Sequence, residues 1–420
     1  MANFREIQRI GTGFLKTEWY QVFTRGLVGV FNMRDPKEHA QRRKLFARPF
    51  SKSALRSSWE PIVKEKAQLA LPQIQNELSI NGISDILKWA TFLTTDISSH
   101  LMLGDSFDML QKGKKNEYTR ILETDNQGSG IMTEVPFAKG ILPYIPLRSF
   151  REMFSGDEIL LQHSRALVIY SRKHSESCRN IFSRLVYESE KDDVSLSDTD
   201  VAMEVSSLIV AGSETTAITL TYLIWAALSR PKLRSDLEAE LATLGESWNE
   251  SQLEALPLLN AVINETLRLY GAAPGFLPCT VPEVGFSFLG YYIPAGMTCI
   301  WNNWADSWSN EGTGCGHSEL DGHRDPLLFP DPEKFDPERW LPGPKETSEA
   351  GRVAFSPFGS GSRTCLGIHL SWMELRLTVA EFFLRCGNVK LAPRVTEESM
   401  KPKYFFLIAP SAHKCEIVSA

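Results

Sequence analysis

The chain lacks most of the features that make an activity easy to name. Its seven cysteines (Cys178, Cys279, Cys299, Cys315, Cys365, Cys386 and Cys415) include no CxxC pair. An odd, sparse set is a poor disulfide framework and a poor zinc site, so most of these thiols read as reduced and buried. Basic charge is not in excess: the net charge is −6 and the pI is near 5.9. That excludes nucleic acid as a natural partner. Arg5, Glu6, Lys16 and Glu18 interrupt the opening segment, so it has no apolar targeting core. The longest apolar run, from about Ala217 to Leu228, contains Thr219 and Thr221. It is too short to cross a bilayer, and the chain as written reads as soluble or peripheral. No Gly-x-Gly-x-x-Gly fingerprint for a nicotinamide or flavin dinucleotide is present.

What is present is an ordinary globular balance, 43% hydrophobic and 23% charged over 420 residues. That is enough to enclose a cofactor. Asp35-Pro36 reads as a helix start leading into a basic helix to about Phe46. Apolar residues at three- and four-residue spacing predict helices over 52–78, 84–103 and 156–190. Ser197-x-x-Asp200 reads as a capping box opening a long helix to about Ser229, and further helices follow over 231–244 and 258–270. Short strands and turns are expected from Val281 to Ile293, a loop-rich stretch over 320–364, a helix from about Cys365 to Arg385, and a final hairpin near Lys403 to Pro410. The fold class is mainly α with small β-sheets, in one domain over 1–420.

Two places stand out chemically. The centre of the long helix, Ala211-Gly212-Ser213-Glu214-Thr215-Thr216, is rich in weak helix formers and reads as a local distortion. Phe358-Gly359-Ser360-Gly361-Ser362-Arg363-Thr364-Cys365-Leu366-Gly367 is a glycine-rich loop entering a helix at a cysteine. Amide groups and positive charge at the helix start favour thiolate at Cys365. Gly361 and Gly367 let a flat, bulky group approach the backbone, and Arg363 offers a cation to an anionic ligand.

This loop resembles the heme-binding loop F-x-x-G-x-R-x-C-x-G of the cytochrome P-450 superfamily, the heme-thiolate monooxygenases. Ala211 to Thr216 resembles the family's oxygen-activating stretch, Glu265-Thr266-Leu267-Arg268 its E-x-x-R, and Phe335-Asp336-Pro337-Glu338-Arg339-Trp340 its P-E-R-F element. The order and spacing also match, over about residues 5 to 410. The resemblance implies the cytochrome P-450 fold, with a long central helix over heme b (iron protoporphyrin IX) and Cys365 as axial thiolate and sole metal ligand. Phe358, Gly361, Arg363 and Gly367 would bind the cofactor, and His39 and Arg43, one helical turn apart, would meet its propionates. Glu214 and Thr215 would be catalytic, Glu214 relaying protons and Thr215 hydrogen-bonding where oxygen is activated. Glu265, Arg268 and Arg339 would form a structural charge network. The implied reaction inserts one atom of O2 into a lipophilic small molecule, a terpenoid, polyketide or alkaloid-type secondary metabolite of fungal kind. Electrons would come from NADPH–cytochrome P-450 reductase, docked partly on Arg42 to Arg48. The protein would act as a monomer at the cytosolic face of the endoplasmic reticulum, where full-length relatives are anchored.

Three departures from the family pattern matter. The chain opens at what resembles the family's second helix, on the order of 80 residues late by domain-size reasoning. Residues 297–322 form an aperiodic excess before His323-Arg324-Asp325-Pro326 and read as a retained intron or misplaced splice junction. Cys279 stands where similar chains carry an Arg for a heme propionate, which implies looser heme retention. The first two keep open a truncated or mis-spliced heme-binding chain without turnover. An isomerase, dehydratase or peroxide-using enzyme is a third reading, against which the intact Glu214-Thr215 speaks.

Overall fold

A computed structural model describes residues 9–24, 28–117, 119–121, 180–183, 196–274, 277–288, 291–299, 319–404 and 406–420. The expected helix over 156–190, apart from 180–183, and the greater part of the 297–322 segment lie outside the described residues.

The architecture is a helical body with small antiparallel sheets at its margins. Its axis is the central helix, Asp198–Leu228. Ser197 Oγ accepts the Asp200 N–H and Asp200 Oδ2 accepts the Ser197 N–H, so the expected capping box is formed. Against the central helix pack Ile86–Leu103 on one side and Ile368–Arg385 and Pro257–Leu269 on others. Glu60–Asn81 completes the bundle, packing on both Ile86–Leu103 and Ile368–Arg385. One continuous apolar core joins these helices, from Phe46 and Leu55 through Leu220 and Leu223 to Leu375 and Phe382. Burial on this scale, at about 25 cal/mol per Å² of apolar surface, is the main stabilising term. The central helix is long and apolar enough to cross a membrane, but it is largely buried in this core.

Three-stranded sheets form from Leu15–Lys16, Cys279–Thr280 and Thr298–Cys299, and from Ser84–Asp85, Glu416–Ser419 and Val389–Leu391. Phe286–Phe288 with Tyr291–Ile293, and Pro402–Tyr404 with Ile408–Pro410, are two-stranded hairpins, the second being the one expected near the C-terminus. Pro36–Ala47 begins as expected: the Asp35 carboxylate accepts the Lys37 and Glu38 N–H groups, both at 2.8 Å.

Two expectations need correction. The last long helix starts at Ile368, not at Cys365. Gly361–Arg363 forms a 3-10 turn instead, held by a left-handed Gly361 at φ 66°, and this turn displaces the helix start. The central helix is also continuous through Gly212 to Thr216, with no distortion. Four of its hydroxyls bond within the helix: Ser213, Thr215, Thr219 and Thr221 each donate to the carbonyl four residues earlier. Gly212 serves close packing instead, since its backbone lies against Ser98 of Ile86–Leu103.

Candidate heme site

The first constellation is the charge network. Glu265 and Arg268 sit one turn apart on Pro257–Leu269 and are both fully buried. Arg268 donates to both Glu265 oxygens, at 2.9 and 2.8 Å, and to the carbonyls of His323, Pro332 and Lys334. Arg339 reaches Glu265 at 3.3 Å and the Asp331 carbonyl at 2.7 Å. Two partners not expected from the sequence complete the shell: the Trp340 indole N–H and the Asp336 backbone N–H, each 2.9 Å from Glu265. A buried carboxylate with this many donors meets the condition under which a buried ion pair holds its place. His323 is locked beside it. Its Nε2 accepts the Ser356 N–H at 3.0 Å, and burial, then Arg268, depress its pKa to about 3.

The second is the cysteine loop. The Cys365 N–H donates to the Phe358 carbonyl at 2.9 Å, closing the loop on itself, and the Phe358 ring packs against the core. The backbone N–H groups of Gly367 and Ile368 point at the Cys365 sulfur, as expected for a helix start. A Cβ at Gly367 would sit 3.9 Å from that sulfur, an ordinary contact. The thiol is therefore approached by two amides and by the Arg43 charge. The Cys365 side chain keeps an exposed face, yet desolvation by the loop packed around its sulfur outweighs all three and pushes the free thiol's pKa up, opposite to the direction expected from the helix start alone.

The third gathers cations from distant parts of the chain around this loop. Arg363 donates to the Met33 carbonyl at 2.8 Å, which docks the 28–35 segment on the cysteine loop. His39, on Pro36–Ala47, is 3% exposed, with a pKa depressed to about 4 by burial, then by Arg363, Arg43 and Lys16. Arg43, one turn further, is half-buried and close enough for its charge to act on Cys365. Among the described residues, no carboxylate lies within ion-pair distance of Lys16, His39, Arg43 or Arg363. Asp35, whose Oδ1 caps the His39 helix, acts on Arg363 less than the Cys279 and Tyr20 side chains do.

The sequence matches a family model, Cytochrome P450, over residues 16–417. The chain belongs to the cytochrome P450 family. Among curated relatives, this P450 is 36% identical to the cytochrome P450 monooxygenase aflV of Aspergillus parasiticus, over 98% of this chain and 80% of that one. It is 36% identical to stcB of Emericella nidulans, over 98% and 77%, and 35% identical to tazI of Aspergillus terreus, over 99% and 82%. A crystal structure of the cytochrome P450DA heme domain superposes with a TM-score of 0.76 at 18% identity, covering 97% of this chain and 83% of that one, so the fold is shared. The P450 is thus a heme-dependent monooxygenase of fungal secondary-metabolism type, using O2 and electrons from a redox partner.

The residues present fit that cofactor. A sulfur met by backbone amides suits an iron-bound thiolate, and a metal overrides the upward shift because a coordinating thiol is deprotonated outright. A cluster of cations without acids suits a group that carries two carboxylates. On the central helix, Thr215 donates to the Ala211 carbonyl at 2.7 Å and is half-buried, as is Glu214.

Arg42, expected to help dock the reductase, is withdrawn from solvent. It pairs with the fully buried Glu204 at 2.9 Å and approaches Asp200 at 3.5 Å. Of the Arg42 to Arg48 cations, only Lys44 and Arg48 are exposed. Lys16, absent from the sequence expectations, joins the cation cluster. One lysine among ordinary neighbours carries no spacing signal, and only the fold brings it there.

Proposed function

We propose that this P450 hydroxylates, or otherwise oxidises with one atom of O2, a lipophilic secondary metabolite of terpenoid, polyketide or alkaloid type. Cys365 is assigned as the axial thiolate. The observation that carries this reading is the Cys365 sulfur, faced by the Gly367 and Ile368 amides and the Arg43 charge, beside His39 and Arg363, which have no carboxylate within ion-pair distance among the described residues. When bound, the heme supplies oxygen activation, with its thiolate favouring O–O cleavage.

The chain's own residues do the rest. Arg363, Arg43 and His39 hold the cofactor's carboxylates, while Phe358 and Gly361 fix the loop that presents the sulfur. Thr215 and Glu214 lie on the central helix to hold and pass protons; the reaction consumes two protons and two electrons for each oxygen atom inserted, and releases the other as water. The Glu265, Arg268 and Arg339 network holds the loops that precede the cysteine. NADPH–cytochrome P-450 reductase, at the cytosolic face of the endoplasmic reticulum, is assigned as the electron source. Lys44 and Arg48 are its candidate contacts.

The test is the carbon monoxide difference spectrum of reduced, heme-loaded protein. Wild type is expected to show the red-shifted Soret band of thiolate-ligated heme, and Cys365→Ser to lose it while keeping its helical circular dichroism. The band persisting in Cys365→Ser overturns the assignment. Reductase-dependent NADPH oxidation that rises with added lipophilic compounds then tests turnover.

A further inference from the structure

Lys16 is the one cation of the cluster without an assigned task. It ends the strand Leu15–Lys16 and lies directly across the antiparallel register from Cys279. Its ammonium sits 4.2 Å from the Tyr20 ring centroid and 4.3 Å from that of Phe31, and it donates to the Phe31 carbonyl. Those contacts aim it but leave its charge unneutralised. Arg363 and His39 lie within electrostatic reach, and burial followed by Arg363 lowers its pKa to about 7. Arg363 opposes the protonated forms of Lys16 and His39, and Arg43 that of His39; with burial, their pKa values fall to about 7 and about 4, so an anion placed among them is attracted and favours their charged forms.

Cys279, half-buried, faces the cluster from that register position and is close enough to act electrostatically on Lys16 and Arg363, but a thiol offers no positive charge to an anion. A lysine on the paired strand faces the same region. We propose that Lys16 is a carboxylate-binding residue of the heme pocket and takes over the role for which position 279 has no charge. The proposal rests on the heme reading above. It also revises the expectation from Cys279 alone: retention is close to normal because the charge has moved one strand over.

The experiment follows heme loss from purified holoprotein to excess apomyoglobin by absorbance. It uses wild type, Lys16→Met, Lys16→Gln, Cys279→Arg, and Lys16→Met combined with Cys279→Arg. Each is loaded either with heme or with heme dimethyl ester, whose carboxylates are masked. With heme, Lys16→Met is expected to lose cofactor on the order of tenfold faster, as for one charge-assisted bond. Cys279→Arg in that background should restore most of the difference. With the dimethyl ester, wild type and Lys16→Met should lose cofactor at the same rate.

Lys16→Gln keeps a polar stem for the Phe31 carbonyl and replaces Lys16→Met should the latter fold poorly by circular dichroism. Equal loss rates with heme overturn the proposal. So does the same acceleration with both pigments, since that marks a role in packing the Tyr20 and Phe31 segment. Wild type that takes up no heme overturns the heme reading itself, and this proposal with it, an outcome distinct from equal loss rates.

Discussion

A Cβ added to Gly212 would lie 2.4 Å from the Ser98 hydroxyl oxygen and 3.5 Å from the Ser98 Cβ. The close approach of the central helix to Ile86–Leu103 is therefore limited by one atom, and that atom makes no hydrogen bond among the described residues. Gly212→Ala is expected to destabilise the protein by about 1–3 kcal/mol through overpacking. In a Ser98→Ala background the obstacle is gone. The same change should then be neutral or stabilising by up to about 1 kcal/mol, because alanine is the better helix former. Denaturant titration of the four proteins checks the change of sign.

The Glu265 network should show a graded response. Glu265→Gln leaves two buried guanidinium groups facing a neutral amide, a loss of about 3–5 kcal/mol if the protein folds at all. Trp340→Phe removes a single donor from the same carboxylate and should cost about 1–2 kcal/mol. Soluble yield and denaturation midpoints measure both; equal losses would show that Glu265 is held by packing and not by its donors.

Glu204 gives a pH signature. Burial raises its pKa to about 7, against the opposing effects of Arg42 and the Val30 N–H. A carboxyl raised above its unfolded value of 4.5 binds its proton more tightly in the native state. Its contribution to stability is complete below about pH 4.5 and is lost as the pH rises toward 7. The stability of wild type relative to Glu204→Gln should therefore fall across that window, by at most about 1.4 kcal/mol per pH unit. A difference that stays flat or rises with pH would contradict the assignment.

The Arg42 contact separates a structural cation from a docking one. Arg42→Ala leaves Glu204 without its partner and should cost about 1–3 kcal/mol in denaturation, while the reductase concentration for half-maximal NADPH oxidation stays the same. Charge reversal at exposed Lys44 and Arg48 should instead raise that concentration, more so at low salt.

Much of this was legible in the sequence, for identifiable reasons. Caps and periodicity are local, so Asp35-Pro36, Ser197-x-x-Asp200 and the amphipathic segments carry their structure on their face. Glu265 and Arg268 share one turn of helix, and their pairing follows from spacing alone. What the sequence hid depends on distant contacts. The glycine at 212 reads as a weak point until Ser98 is seen against it, and Arg42 reads as a solvated cation until the fold brings Glu204 to it. Lys16 and Cys279 are 263 positions apart by number (279 − 16), and only strand pairing makes them neighbours. The amides that meet the Cys365 sulfur can be inferred from sequence, whereas the desolvation that opposes them in the free thiol cannot.

Met33 and Arg363 tie the front of the chain to its last quarter through a single guanidinium, with His39, Arg43 and Lys16 gathered at the same junction. The Arg43 and Arg363 charges there oppose one another, and a doubly anionic guest relieves that repulsion, so binding it should tighten the junction. Apparent resistance to unfolding should climb with the logarithm of free guest concentration. Protein made under iron starvation would accordingly present an opened seam between these two regions and be the more readily cleaved there by a protease.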